Sequence, residues 1–335
     1  VYNGSKRLKT IEQEKLNNRV ADLDVATSEN DIEQSIAQVY IQILYAAESV
    51  KVNENTLQVS EAQRDRGKQL LDAGSIARSD YAQLEAQVST DRYQLVTAQA
   101  TLQDYKLQLK QLLELDGENE MNVYLPALSD ENVLLPLPTK KDVYMSALTL
   151  RPEIEASKLS VEASELGIDI AKAGYLPTIS LSAGIGTNHT SGSDFTFGEQ
   201  VKNGWNNSIG VSVSVPIFNN RQTKSAVQKA KLQRETSLLS LLDEQKTLYK
   251  TIEGLWLDAN SAQQRYAAAN EKLKSTQISY DLISEQFNLG MKNTVELLTE
   301  KNNLLQAQQE QLQAKYMAIL NTQLLKFYQG DKLAL

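Results

Sequence analysis

Near the start of the chain, apolar residues recur at steps of three and four: Ile32, Ile36, Tyr40, Ile43, Ala47 and Val50. That period places them on one face of a helix. No strong stop interrupts the pattern from Arg7 to Asp72, so it predicts one unbroken helix over that whole span. At a rise of about 1.5 Å per residue such a helix is about 100 Å long. The rest of its surface is wet, with Asn53, Asn55, Gln58, Glu61, Gln63, Arg64, Asp65, Arg66 and Lys68 crowding the far end. Gln306, Gln308, Gln309, Gln311 and Gln313 do the same near the other end of the chain. A rod with a narrow apolar seam suits a coiled-coil scaffold or a channel wall, and periodicity alone does not choose between them.

In the middle of the chain the period changes. Ile179, Leu181, Ala183 and Ile185 alternate with Thr178, Ser180, Ser182, Gly184 and Gly186, and Ile209, Val211, Val213 and Val215 alternate with Ser208, Gly210, Ser212 and Ser214. Alternation with one apolar and one small polar face predicts two strands, each of a length that crosses a bilayer at a tilt. No Asp, Glu, Lys or Arg occurs from Ala173 to Ser193 or from Asn203 to Asn220. Tyr175, Trp205 and Phe218 stand near the strand ends, where interfacial aromatics belong. The connection Asn188–Gly204 is long and polar, as external loops of membrane barrels are. A half-buried soluble hairpin with Ser and Gly facing water fits the same two strands. Two strands are not stable alone, so partners from other chains are expected.

The breakers divide the chain. All six prolines lie between Pro126 and Pro216, and seven of the fifteen glycines lie between Gly174 and Gly210. Proline costs about 3 kcal/mol inside a helix, so the proline-free arms on either side are helical. The arms also repeat. Laying the chain on itself so that Tyr2-Asn3-Gly4 falls on Phe218-Asn219-Asn220 also brings Ile11 onto Val227, Leu16 onto Leu232, Ile36 onto Ile252 and Tyr40 onto Trp256. Under the same shift Gly74 meets Gly290, and Asp80 meets Glu296. Each copy reads as a long helix, a break at the glycine, and a helix returning over about 79–115 or 294–328. Gly74 supplies a left-handed residue, and Ser79 is placed to cap the helix that follows. Between the arms, Lys140–Ala173 reads as a helix entered through Thr139 and broken at Leu150-Arg151-Pro152.

The remaining chemistry is sparse. The net charge is −8, which argues against a nucleic-acid surface. No stretch approaches a transmembrane helix. There is no cysteine, and the single histidine, His189, falls in the polar loop. No Glu-x-x-His pair marks a metal bundle, and no Gly-rich phosphate loop occurs. No catalytic residue, metal or cofactor is expected, and an enzyme is disfavoured.

With these pieces in order, the chain resembles the TolC-type outer-membrane efflux proteins. The resemblance rests on Leu150-Arg151-Pro152-Glu153-Ile154 opening a helix, Ala173-Gly174-Tyr175-Leu176-Pro177 leading into the first strand and Val215-Pro216-Ile217-Phe218 leaving the second. It also rests on the two breaks, with an acid six residues after each glycine, and on their arrangement within the repeat. The family implies a mainly α fold: long antiparallel helical hairpins forming a tunnel, plus a transmembrane-type β-hairpin contributing to a trimeric barrel, with an internal two-fold repeat. It implies a homotrimer in the outer membrane of a Gram-negative bacterium, extending through the periplasm and meeting a periplasmic adaptor and an inner-membrane pump. The duct would serve efflux or type I secretion. By the same resemblance Gly74, Ser75, Ile76, Gly290 and Met291 are adaptor-docking tips, and Asp80, Glu296 and Lys292 form a periplasmic gate. Lys292 would pair with an acid across the tip, and Tyr175, Trp205 and Phe218 would meet outer-membrane lipid. An adaptor-like or coiled-coil scaffold protein without channel activity is the alternative.

The expected segments are 1–115 as the first hairpin, 116–139 as an equatorial linker and 140–176 as a helix leading to the barrel. They continue with 177–217 as the barrel hairpin, 218–330 as the second hairpin and 331–335 as a tail. The stretch from Thr139 to Pro216 that precedes the second copy has no counterpart before the first. The expectation is therefore that a helix, a strand and most of a second strand precede Val1 in the whole protein, and that this chain alone does not close a barrel.

Overall fold

The computed structural model describes residues 1–115, 121–126 and 133–333. Its elements are β1 (Tyr2–Asn3), α1 (Lys6–Asp72), α2 (Arg78–Leu112), α3 (Lys140–Leu150), α4 (Pro152–Lys172), β2 (Thr178–Gly186), α5 (Phe197–Asn203), β3 (Asn206–Ser214), α6 (Gln222–Asn288) and α7 (Thr294–Gln329). Both long helices, α1 and α6, contain 67 residues. The shift that superimposes the two arms in sequence carries the start of α1 onto the start of α6, and the start of α2 onto that of α7. Residues 116–120 and 127–132 of the expected linker, and 334–335 of the tail, lie outside the described residues.

The repeat extends to backbone detail. Gly4 and Ser5 have φ of 64° each, and their counterparts Asn220 and Arg221 have 49° and 61°. The first helical hydrogen bonds also correspond: Lys9 N–H to Ser5 O at 3.0 Å and Ser225 N–H to Arg221 O at 2.9 Å. Two left-handed residues in succession turn the chain sharply from strand into rod at the start of each arm.

Contacts divide the chain into two units. The first comprises Val1–Thr27 and Pro152–Lys246. Its sheet has the order β1-β2-β3, all antiparallel. The strands from other chains expected above are thus joined by one from this chain: β1 pairs with β2 over two residues, Tyr2 with Ile179 and Asn3 with Thr178. In the β2–β3 ladder Ile179 faces Val213, Leu181 faces Val211 and Ala183 faces Ile209. The long polar connection between these strands includes a short helix. This helix, α5, is capped by Thr196, whose hydroxyl accepts the Glu199 N–H at 3.4 Å while the Glu199 carboxylate accepts the Thr196 N–H at 2.9 Å. Beneath the sheet the Gln13 amide donates to Ala163 O at 2.7 Å, and Arg234 pairs with Glu165 at 2.9 Å.

The second unit comprises Ser28–Arg151 and Thr247–Leu335. Its core is a seam. Ile41 and Leu44 of α1 cluster with Leu312, Tyr316, Leu320 and Leu324 of α7. Val133 is buried with Ala262, Tyr266, Ala314 and Ala318. Here the repeat pair Tyr40 and Trp256 does one job twice: the Tyr40 hydroxyl donates to Tyr124 O at 2.8 Å and the Trp256 indole to Pro138 O at 3.0 Å. Both rods thus hold the irregular segment by its carbonyls. The break at Leu150-Arg151-Pro152 separates α3 from α4, and its Arg151 has a purpose in packing. The buried guanidinium stacks 5.0 Å from the Phe327 ring and 4.3 Å from the Tyr328 ring, which joins α3 to the end of α7.

One polar cluster is fully dry. Asp91 of α2 accepts from Lys301 of α7 and from the Ser60 hydroxyl of α1, and all three side chains are almost wholly buried. Gln87 adds a bond to the second Asp91 oxygen at 2.9 Å. Burial pushes the Lys301 ammonium below the usual lysine range, and Asp91 opposes that shift. Removing one member leaves a buried charge without its counter-ion. Lys301→Met is therefore expected to lower the unfolding free energy by ~3–5 kcal/mol, and Asp91→Leu combined with Lys301→Met to recover most of it. Urea titration of the helical circular-dichroism signal measures both; equal losses in the single and double variants would show the two charges to be uncoupled.

Candidate functional site

The two helix reversals are built alike, from the same bonds at the same spacing. At the first, Gly74 N–H donates to Leu71 O at 2.9 Å and Ser75 N–H to Leu70 O at 2.8 Å. At the second, Gly290 N–H donates to Phe287 O at 2.9 Å and Met291 N–H to Gln286 O at 2.9 Å. These pairs of bonds satisfy the last carbonyls of α1 and α6 and require a left-handed residue just past the helix. Gly74 at φ 70° and Gly290 at φ 73° supply it, where a side chain would be strained. The reversals leave Gly74, Ser75, Gly290 and Met291 exposed and Ile76 half-buried.

The acids six residues on begin the returning helices. Asp80 Oδ2 accepts the Ala77 N–H at 3.2 Å. The cap position is therefore Ala77 and not Ser79 as expected, because the Asp80 carboxylate already satisfies the backbone there. At the second reversal the cap is complete: Asn293 Oδ1 accepts the Glu296 N–H at 2.9 Å, and Glu296 Oε2 accepts the Asn293 N–H at 3.2 Å. Lys292 closes on Glu296 Oε1 at 2.5 Å. The lysine expected to reach an acid across the tip thus pairs with the acid of its own tip. Its hydrogen bond and the Asn293 N–H hold the Glu296 carboxyl below the usual carboxylate range.

The two tips also touch each other. Leu84 of α2 is buried with Phe287 of α6 and Leu297 of α7, flanked by Leu70, Tyr280 and Ile283. The Gln63 amide donates to the Tyr280 hydroxyl at 2.8 Å, and Arg66 to Asn288 O at 3.4 Å. Asp80 and Glu296 are each engaged within their own tip and are not joined by a bond.

The second candidate surface is the sheet. Leu181, Ile209, Val211 and Val213 form an apolar face across the β2–β3 ladder, and each is between 59% and 81% exposed. Ser180, Ser182, Ser208, Gly210 and Ser212 form the other face. Tyr175, Trp205 and Phe218 are all exposed around the strand ends. His189 belongs to the loop structure: its ring nitrogen lies 3.0 Å from Gln200 Oε1, which also accepts the Thr190 N–H at 2.8 Å. Among the described residues no group of three or more His, Cys, Asp or Glu is arranged to hold a metal ion. No helix among them is long and apolar enough to cross a membrane.

Sequence reasoning found the tips and the strands, but not Arg151 on its two rings or the buried Asp91–Lys301 pair. A signal for the latter was that Asp91 falls at the helical spacing of Leu84 and Val88, and Lys301 at that of Leu297 and Leu304.

Because the folded pKa of Glu296 is depressed, its contribution is fully present above the ordinary carboxylate value and is lost as the pH falls through the folded one. Glu296→Gln is expected to speed amide hydrogen exchange over 290–297 and to leave 74–81 unchanged. Lowering the pH brings the unsubstituted chain towards the variant, once intrinsic exchange rates are corrected. Equal protection in both proteins at neutral pH would remove the cap assignment.

Comparison with known proteins adds an independent line. The profile of a family described as "Outer membrane efflux protein" matches residues 143–330. The chain is 26% identical over 294 residues to the outer membrane efflux protein BepC of Brucella suis biovar 1 (strain 1330), covering 87% of this chain and 61% of that protein. It is 25% identical over 317 residues to the outer membrane protein TolC of Escherichia coli (strain K12), covering 90% of this chain and 62% of that protein. The chain thus spans about three fifths of the length of these relatives. Its fold matches a solved structure of the outer-membrane channel OprN with a TM-score of 0.81 at 20% identity, covering 98% of this chain and 73% of that one.

Proposed function

The chain belongs to the outer membrane efflux protein family, and from that membership we propose that the whole protein is the exit duct of a tripartite efflux or type I secretion system. Three copies enclose a helical tunnel and a membrane barrel in the outer membrane of a Gram-negative bacterium, and small molecules pass through it. Segments 1–115 and 218–330 are the hairpins of the tunnel wall. Residues 116–139 gird it, 140–176 lead to the barrel and 177–217 form this chain's barrel hairpin.

The observation that carries this reading is the β2–β3 face. A charge-free apolar ladder, open to the surroundings on large side chains, is costly in water and stable against lipid. Its other face of Ser and Gly suits a wet lumen. A soluble adaptor or a coiled-coil scaffold accounts for the rods but gives this face nothing to meet. Tyr175, Trp205 and Phe218 anchor the barrel at the lipid interface.

The tips face the partners. Gly74, Ser75, Ile76, Gly290 and Met291 receive a periplasmic adaptor, which joins the duct to an inner-membrane pump. Asp80, Glu296 and Lys292 line the gate. Three copies bring six carboxylates to one narrow end, a field that favours cations; Lys292, held by Glu296, sets how much of that charge is open to the passage.

Neutralising both acids, Asp80→Asn with Glu296→Gln, is expected to reduce the cation preference of the full-length protein in bilayer conductance recordings. Unchanged selectivity would remove the gate assignment. A protein that inserts and never conducts would overturn the duct.

A further inference from the structure

Among the described residues, five of the seven α-helices begin as the helix dipole favours, with an acid in the first turn. These are Asp80 in α2, Asp142 in α3, Glu153 and Glu155 in α4, Glu199 in α5 and Glu296 in α7. The two rods do not follow that rule. Neither α1 nor α6 has an acid in its first turn. Cations stand there instead: Lys6, Arg7 and Lys9 on α1, Arg221 just before α6 and Lys224 within its first turn. A cation at a helix N-terminus is repelled by the partial positive charge of the helix end. The imbalance also extends past the first turn. No Asp or Glu occurs in residues 1–11 or 200–234, although the whole chain carries a net charge of −8.

The fold gives these cations no counter-ion. Lys6, Arg7, Arg221 and Lys224 are all exposed, and none of them forms an ion pair among the described residues. Three acids in adjoining turns are already engaged: Glu12 by Lys9 at 3.1 Å, Asp169 by Lys172 at 2.9 Å and Glu165 by Arg234 at 2.9 Å. The repeat shows what the two helix starts hold in common. Ser5, Lys6, Arg7 and Leu8 correspond to Arg221, Gln222, Thr223 and Lys224. Each start is cationic, but at different positions. Both copies therefore keep positive charge at this height and not one fixed bonding geometry, which suits a layer of many anionic groups better than a single ligand.

The surface beside the cations is apolar. Ile217 at 96% and Phe218 at 84% exposure stand just before Arg221. At the other rod Tyr2 is exposed, as is Leu176, which lies against Gly4. The chain thus passes from the open apolar strand face through these residues directly to the cations. The opposite end of the hairpin is different: the connection from β2 to β3 carries Asp194 and Glu199 with one cation, Lys202. The positive excess marks only the end where strands become rods. An apolar belt edged by unpaired cations matches a bilayer boundary bearing anionic headgroups. Phosphate further suits a helix N-terminus, where the dipole attracts negative charge. A soluble anion would answer the charge but leave the apolar belt in water.

We propose that Lys6, Arg7, Arg221 and Lys224 bind the phosphates of acidic phospholipids at the membrane boundary where the strands become rods, so that the duct gathers anionic lipid around that end. This rests on the duct reading above and adds to it the class of lipid taken. Electron spin resonance of chain-labelled lipids tests it on the full-length protein reconstituted in phosphatidylcholine vesicles. Labelled phosphatidylglycerol is expected to associate with the protein about twofold or more above labelled phosphatidylcholine, and added salt lowers that excess. The fourfold variant Lys6→Gln, Arg7→Gln, Arg221→Gln and Lys224→Gln is expected to abolish the preference while keeping its helical circular-dichroism signal and its motionally restricted lipid. Equal association of the two labels with the unsubstituted protein, or a preference that survives the four substitutions, would overturn this assignment alone. So would loss of the preference to inorganic phosphate at constant ionic strength, which would give the cations to a soluble anion. Vesicles that show no motionally restricted lipid with either label would overturn the membrane barrel, and this inference with it.

Discussion

A helix as long as α1, with polar residues on most of its surface, has one way to leave water: a narrow stripe pressed against another long helix. Every feature of the second unit follows from that constraint. The stripe is thin, so a few large side chains fill it, Ile41 and Leu44 against Leu312, Tyr316 and Leu320. At one place the stripes of α2 and α7 carry opposite charges that share a dry site, Asp91 with Lys301. Where the helix must end, a left-handed glycine and a capped successor return the chain along itself, so a second stripe meets the first. Apolar side chains of the same kind remain exposed on α2 and α6, at Tyr93, Val96 and Leu257.

Duplication within the chain explains why the open faces and the closed ones correspond. Both rods begin with two left-handed residues and end in the same pair of backbone bonds. At the same height, Tyr40 and Trp256 each capture a carbonyl of the irregular segment. Backbone landmarks are shared because they are set by local geometry that either copy satisfies. Side chains at the seams are not shared: Asp91 has become Ala307 and Lys301 corresponds to Glu85. The two arms thus share a backbone plan and differ in the side chains that fill it.

The rods, the reversals and the strands were legible in the sequence because each has a period or a breaker of its own. Ile179 to Ile185 and Ile209 to Val215 alternate without a charge, and the observed register sets Ile179, Leu181 and Ala183 against Val213, Val211 and Ile209. Gly74 and Gly290 announce the turns. What was not legible depends on contacts between residues far apart. Asp91 and Lys301 sit among polar neighbours and look solvated until α2 and α7 are placed together. Arg151 looks like part of a break, and only the end of α7 supplies Phe327 and Tyr328 to stack on it. The cap at Ala77 was misplaced because the sequence offered a serine, while the structure used the Asp80 carboxylate and needed no hydroxyl. Helix α5 is too short for its period to appear among polar loop residues.

In the duct proposed above, the exposed faces of this chain are completed by copies of itself. The oligomeric mass of the full-length protein, extracted from the outer membrane in mild detergent and measured by light scattering corrected for the bound detergent, tests it most directly. A mass of three chains, stable on dilution, is expected. A monodisperse monomer with its faces still folded, or an assembly of two or four chains, would contradict it.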